Sequence, residues 1–138
     1  MGFGEAVKTC FSKYVTFSGR ATRSEFWWFY LFTVIVGAVA SLIDNLIGWQ
    51  VVATTTENGT AAVAYNPGWI QIVVVLALFL PMVAVSVRRL HDRDASGWWW
   101  WLSVLCCIGT LVLIFAFYVQ PTKPGPNKYG PDPQGATA

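Results

Sequence analysis

Charge is what this sequence has least of. Asp, Glu, Lys and Arg make up 12% of its 138 residues, where a soluble domain carries about 25%. Hydrophobic residues reach 55%, against a usual share of roughly 45–50%. So few charges cannot screen that much apolar surface from water, which excludes an ordinary soluble fold and makes lipid the solvent for much of the chain. A formal net charge of +2 is too small to argue for a nucleic-acid partner. Cysteine is scarce as well. Cys10, Cys106 and Cys107 are spaced for neither a disulfide framework nor a metal cluster, and read as small buried hydrophobes. No cofactor motif is present.

What is there is a set of long apolar runs. Residues 26–47, 69–88 and 98–119 are each long enough to cross a bilayer as a helix, which takes about 20 residues. The fold expected is therefore an all-α membrane protein, one domain over 1–138, with three transmembrane helices. An N-terminal amphipathic helix over 3–16 precedes them. Phe3, Ala6, Val7, Cys10, Phe11, Tyr14 and Val15 share one of its faces, and Lys8 and Lys13 lie on the other. Such a helix rests in the headgroup layer with its lysines toward anionic lipid.

Orientation follows from the basic residues. Lys8, Lys13, Arg20 and Arg23 precede the first run, and Arg88, Arg89 and Arg93 fall in or beside the loop 89–97. The loop 48–68 has neither Lys nor Arg. The N-terminus and the loop 89–97 are thus expected in the cytoplasm and 48–68 outside. Three crossings put the Pro/Gly-rich tail 120–138 outside. A re-entrant third run would instead bring Lys123 and Lys128 in with the other basic residues, and the length of that run favours three crossings. Trp27, Trp28, Trp49, Trp69 and Trp98–Trp101 all lie near run ends, as an interfacial girdle requires.

Local signals fill in the rest. Thr22-Arg23-Ser24-Glu25 reads as a capping box opening the first span, with Glu25 also able to reach an arginine of the second loop. In the outer loop, Asn58-Gly59 between Val51–Glu57 and Thr60–Tyr65 signals a β-hairpin that sets Thr54 opposite Val63 and Val52 opposite Tyr65. Asn58-Gly59-Thr60 also matches a glycosylation acceptor. Pro81 interrupts the second span and is expected to kink it.

The chemically suggestive stretch is Arg88-Arg89-Leu90-His91-Asp92-Arg93-Asp94-Ala95-Ser96-Gly97. Arg88, His91 and Asp92 would share one helix face, with Arg88–Asp92 as an ion pair at i,i+4 and Ser96 capping the next helix. A lone histidine beside carboxylates is weak support for a metal site. A calcium loop lacks its closing Glu, because position 103 is Ser. No nucleophile motif supports a hydrolase. The functional reading preferred is that Arg88 and Arg89, with Arg20 and Arg23, bind lipid phosphate or a partner's acidic segment.

Three ordered motifs make the chain familiar: Phe17-Ser-Gly-Arg-Ala-Thr-Arg-Ser-Glu-Phe-Trp-Trp; Arg88-Arg-Leu-His-Asp with Gly97-Trp-Trp; and Pro124-Gly-Pro-Asn-Lys-Tyr-Gly-Pro-Asp-Pro. It resembles the bacterial inner-membrane family of unknown function typified by YhaH and YhaI, over nearly its whole length. The resemblance implies a small multi-pass plasma-membrane protein without an assigned activity. It matches the family's motif at Gly19, Arg20, Arg23, Glu25, Trp27, Arg88, Arg89, Leu90, His91, Asp92, Gly97, Trp98, Asn127, Tyr129 and Gly130. It departs from it in a longer outer loop and in Cys106-Cys107, where relatives often carry Pro.

Two functions are therefore expected to compete. One is a non-enzymatic membrane protein whose cluster of Arg20, Arg23, Glu25, Arg88, Arg89, His91 and Asp92 organises its helices and binds anionic headgroups, a membrane-protein partner or a second copy. The other is a subunit of an oligomeric transporter or channel. Against the second stands the scarcity of polar groups within the runs, although a pore lined by Gln71 would rescue it.

Overall fold

In lipid every backbone N–H must find its acceptor within its own segment, so a long apolar run becomes a helix. Two runs do so without a break in the computed structural model, which describes residues 1–48, 53–57, 60–64, 68–105 and 107–135. They are α2 (Arg23–Ile47) and α3 (Trp69–Asp92), both long and apolar enough to cross a membrane. Leu46, Val73 and Leu76 on them are exposed, as residues facing hydrocarbon would be. Pro81 is buried inside α3, which continues past it to Asp92. The chain divides into two compact units, Thr33–Leu78 and Met1–Phe32 with Phe79–Ala138.

In the first of these units the two helices are tied by a cap supplied from a neighbour. Asp44 of α2 is fully buried. Its carboxylate accepts from the backbone N–H groups of Ile70 at 3.3 Å and Gln71 at 2.8 Å. These donors at the start of α3 have no partner within their own helix, and the helix dipole favours the negative charge there. Gly68 lies directly beneath the carboxylate, where a Cβ would collide with it. Asp44→Ala is therefore expected to cost about 0.5–2 kcal/mol, as the loss of an N-cap does. Gly68→Ala should reproduce the lesion by pushing the carboxylate off the helix. Thermal unfolding of both variants in detergent checks this, and an unchanged midpoint in both would refute the cap. Between α2 and α3, β1 (Ala53–Glu57) and β2 (Thr60–Ala64) pair antiparallel with Thr54 opposite Val63. The Asn58-Gly59 turn, the Val52–Tyr65 pairing and Cys106 lie outside the described residues.

The other unit begins with α1 (Phe3–Ser12), shorter than the 3–16 expected. Its apolar face docks on protein: Ala6 and Cys10 are buried. Phe3 meets Trp28 edge-on at 5.8 Å, and Phe11 meets Phe29 at 5.9 Å and Phe32 at 5.8 Å. Val15, counted with that face, is exposed beyond the helix end.

Among the described residues the third apolar run is not one continuous helix. A 3-10 turn over Gly97–Trp101, capped by Ser96 through the N–H of Trp98, leads into α4 (Leu102–Leu105). Next come α5 (Cys107–Leu113) and a π-helical turn over Ile114–Tyr118. Rings of Trp99 and Phe117 lie only 5.8 Å apart, whereas a straight helix would separate them by about 27 Å at its rise of roughly 1.5 Å per residue. The run doubles back on itself, with Thr110 Oγ1 donating to the carbonyl of Ser103 at 3.4 Å. The single continuous helix expected over 98–119 is thus a broken and reversed segment among the described residues. Gly109 makes the reversal sterically feasible, because a side chain there would run into the carbonyl of Leu102. Trp27 Nε1 then donates to the carbonyl of Tyr118 at 3.2 Å, which seats the returning strand of chain against the start of α2.

Candidate functional site

The start of α2, the end of α3 and the tail meet around three buried arginines. Thr22 Oγ1 accepts from the N–H of Glu25 at 3.1 Å and opens α2. That is half of the expected capping box. The Glu25 carboxylate does not complete it but turns to Arg88, whose Nη1 lies 2.6 Å from Oε1. Both side chains are buried, so the stronger charge-assisted contact displaces the weaker reach back to a backbone N–H.

Asp92 is the second hub, fully buried and shared by two guanidinium groups. Arg20 approaches Oδ1 through Nε at 3.0 Å and Nη2 at 2.9 Å, while Arg89 takes Oδ2. The expected Arg88–Asp92 pair is thus replaced by Arg88–Glu25 and by Arg20–Asp92–Arg89. Helical spacing allows an i,i+4 pair, but burial at the crossing of several segments offers each arginine a partner from elsewhere.

The same arginines hold the tail. Arg20 donates to the carbonyls of Gly125, at 2.6 Å, and Lys123. Arg89 donates to that of Gln120, and Arg93 to that of Pro121 at 3.0 Å. Asn127 Nδ2 reaches the carbonyl of His91 at 2.9 Å. Lys123 pairs with Asp94 at 3.3 Å, with both partners exposed. These carbonyls precede the tail's own bridge between Asn127 and Gly130, in a stretch rich in Pro and Gly, so they are free to accept from the arginines. Asp132 folds the end of the tail by accepting from the N–H groups of Gln134 at 2.8 Å and Gly125 at 3.0 Å. These bonds hold its carboxyl below the usual carboxylate range. The turn therefore holds at the pH where an ordinary carboxylate takes up its proton and is lost only as pH falls below that range.

Of the seven residues singled out from the sequence, five form this network: Arg20, Glu25, Arg88, Arg89 and Asp92. Arg23 is exposed and outside the ion pairs. His91 is half-buried and turned elsewhere, its ring stacked on Tyr129 at 3.9 Å and its Nδ1 3.3 Å from the carbonyl of Gly19. Arg20, Arg88 and Arg89, read from the sequence as able to bind lipid phosphate or an acidic partner, are buried and engaged with the chain's own carboxylates and carbonyls. The tail carbonyls as the second set of acceptors were not foreseen, because a backbone carbonyl leaves no mark in a sequence. No group of three or more His, Cys, Asp or Glu side chains able to hold a metal occurs among the described residues.

Cys10 completes the cluster from α1, with its thiol donating to Glu25 Oε1 at 3.8 Å. Burial, and then the Glu25 charge, push the thiol up to about 12. At pH 8 the thiolate fraction would be on the order of one in ten thousand, against roughly a quarter for an ordinary thiol. With Cys106 and Cys107 replaced by Ser, iodoacetamide should label Cys10 at least about 1,000-fold more slowly in the native protein than in the denatured one. Comparable rates would contradict this placement. The sign of the linkage is that of a raised pKa: the native state keeps a proton that the unfolded chain gives up, so stability falls as pH rises from about 9 toward 12.

A family model described as "Protein of unknown function (DUF805)" matches residues 14–131. The chain is similar to the inner membrane protein YhaH of Escherichia coli, 40% identical over 121 residues that cover 88% of this chain and 89% of the relative. It is also similar to the inner membrane protein YhaI of Escherichia coli, 39% identical over 121 residues, 88% of each chain. No solved structure matches it.

Proposed function

The chain belongs to the DUF805 family of proteins of unknown function, and from that membership we propose that it is a two-span bacterial inner-membrane protein acting as a non-enzymatic binding module. In this reading the N-terminus, the α3–α4 loop and the tail all face the cytoplasm. The observation that carries it is the placement of charge. All nine Lys and Arg residues lie outside 33–78, and the positive-inside rule then assigns one side to all of them. The names of the relatives support the membrane.

The buried ion pairs serve as an intramolecular clasp that keeps the tail on the helix ends. Contact with anionic lipid or an acidic partner falls to cations that stay at the surface, namely Lys8, Lys13, Arg23 and Lys128, all exposed. Each such charge near an anionic surface contributes about 1 kcal/mol.

The test is a cysteine at Gln134 in a variant whose native cysteines are replaced. A membrane-impermeant maleimide should label it in inverted vesicles and leave it unlabelled in intact spheroplasts. Labelling in spheroplasts would overturn the orientation, and rapid passage of ions or small solutes through liposomes holding the purified protein would overturn the binding-module reading.

A further inference from the structure

We propose that the open pocket beside His91 is a binding site for a phosphoethanolamine lipid headgroup. The inference rests on the membrane reading above, since the pocket must lie at headgroup depth. It has a volume of about 490 Å³ and is walled by Phe17, His91, Trp98, Trp101 and Tyr129. Four separate segments contribute: the α1–α2 linker, α3, the turn into the third run, and the tail.

The chemistry starts from the histidine. Its Nδ1 lies 3.3 Å from the Gly19 carbonyl oxygen. A carbonyl only accepts, so Nδ1 carries the proton and Nε2 of the neutral ring carries the lone pair. The ring cannot swing away, because it is stacked on Tyr129 with only 5° between planes. Nε2 borders the pocket beside Gly97, where a Cβ would stand 3.4 Å from it. No described group of the chain donates to Nε2. The result is a fixed hydrogen-bond acceptor in an open pocket whose other aromatic walls are Phe17, Trp98 and Trp101, which fits a compact cationic donor held against rings.

A primary ammonium meets both requirements, whereas a trimethylated one has no N–H to give. No carboxylate is among the described residues that line the pocket, so a zwitterion is favoured over a bare cation. Trp98 and Trp101, exposed residues that line the pocket, carry indole N–H groups as donors for the attached phosphate. The phosphate finds charge in Lys128, whose Nζ lies 5.0 Å from the centre of the Tyr129 ring.

The test uses the full chain purified in detergent and offered equimolar phosphatidylethanolamine, phosphatidylcholine and phosphatidylglycerol of identical acyl chains, with retention read by native mass spectrometry. Phosphatidylethanolamine should be retained about five-fold over each of the others. His91→Phe, which keeps the stack and removes the acceptor, and Trp101→Leu, at an exposed position, should each bring the ratio to about one. Equal retention by the unaltered protein overturns the site, as does a preference that survives in either folded variant. Failure of the membrane reading would look different: the protein would stay dispersed in buffer without detergent, whatever the lipid ratios.

Discussion

Asp92→Ala is expected to cost the purified protein about 3–5 kcal/mol of stability and to release the tail from the helix ends. Asp92 is fully buried and serves two guanidinium groups at once. Its removal strands Arg20 and Arg89 in a site from which water is excluded. Burying an unpaired charge is far costlier than the net gain from forming the pair, so the penalty comes mostly from what is left behind. The surroundings offer little relief. Arg88 Nε, Arg88 Nη2 and Arg89 Nε already lack a hydrogen-bond partner among the described residues, and three buried arginines face only two buried carboxylates, Glu25 and Asp92, at this end of the helices. Two readouts separate this from general destabilisation. Thermal unfolding in detergent gives the magnitude, and limited tryptic proteolysis after Lys128 reports the tail. Cleavage should quicken at temperatures where the variant's helix content is intact. A tail as resistant in Asp92→Ala as in the unaltered protein would show that the arginine clasp does not hold it.

Gly109→Val should open the reversal in the third apolar run. The glycine hydrogen faces the carbonyl of Leu102 so closely that no Cβ fits, and the obstacle is backbone that cannot rotate aside. Overpacking of this kind costs about 1–3 kcal/mol, occasionally more. Here the relief available is separation of α4 from α5. Spin labels at Trp99 and Phe117, whose rings lie 5.8 Å apart, should report a short distance in the unaltered protein and a distribution shifted outward by 10 Å or more in Gly109→Val, toward the roughly 27 Å of a straight helix. A long distance in both proteins would restore a third spanning helix and place the tail across the membrane from the N-terminus.

How legible the site was depended on the kind of partner each residue has. Arg20, Glu25, Arg88, Arg89 and Asp92 stood out because a charge next to an apolar run must be explained. Their pairing did not follow, since Arg20 and Asp92 are far apart in sequence and helical spacing pointed to Arg88–Asp92 instead. The tail's role was hidden for a different reason. Its carbonyls are present at every residue, and only folding decides which of them stay unpaired. The α1 helix was readable from its period, but hydropathy does not distinguish a face that packs on Phe29 and Phe32 from one that packs on lipid.

By itself the sequence determined that membrane is the medium, where the two long apolar helices lie, and that every Lys and Arg falls outside 33–78. These follow from composition and from charges counted along the chain, and neither depends on what touches what. Tertiary structure alone decided that the third run turns back, that Glu25 and Asp92 divide the arginines between them, and that the tail closes over the end of α3. The reason is that hydropathy measures how much apolar length a segment has and carries no information on its path. The path is set by a steric allowance at Gly109 and by ion pairs between residues that meet only after the chain has folded.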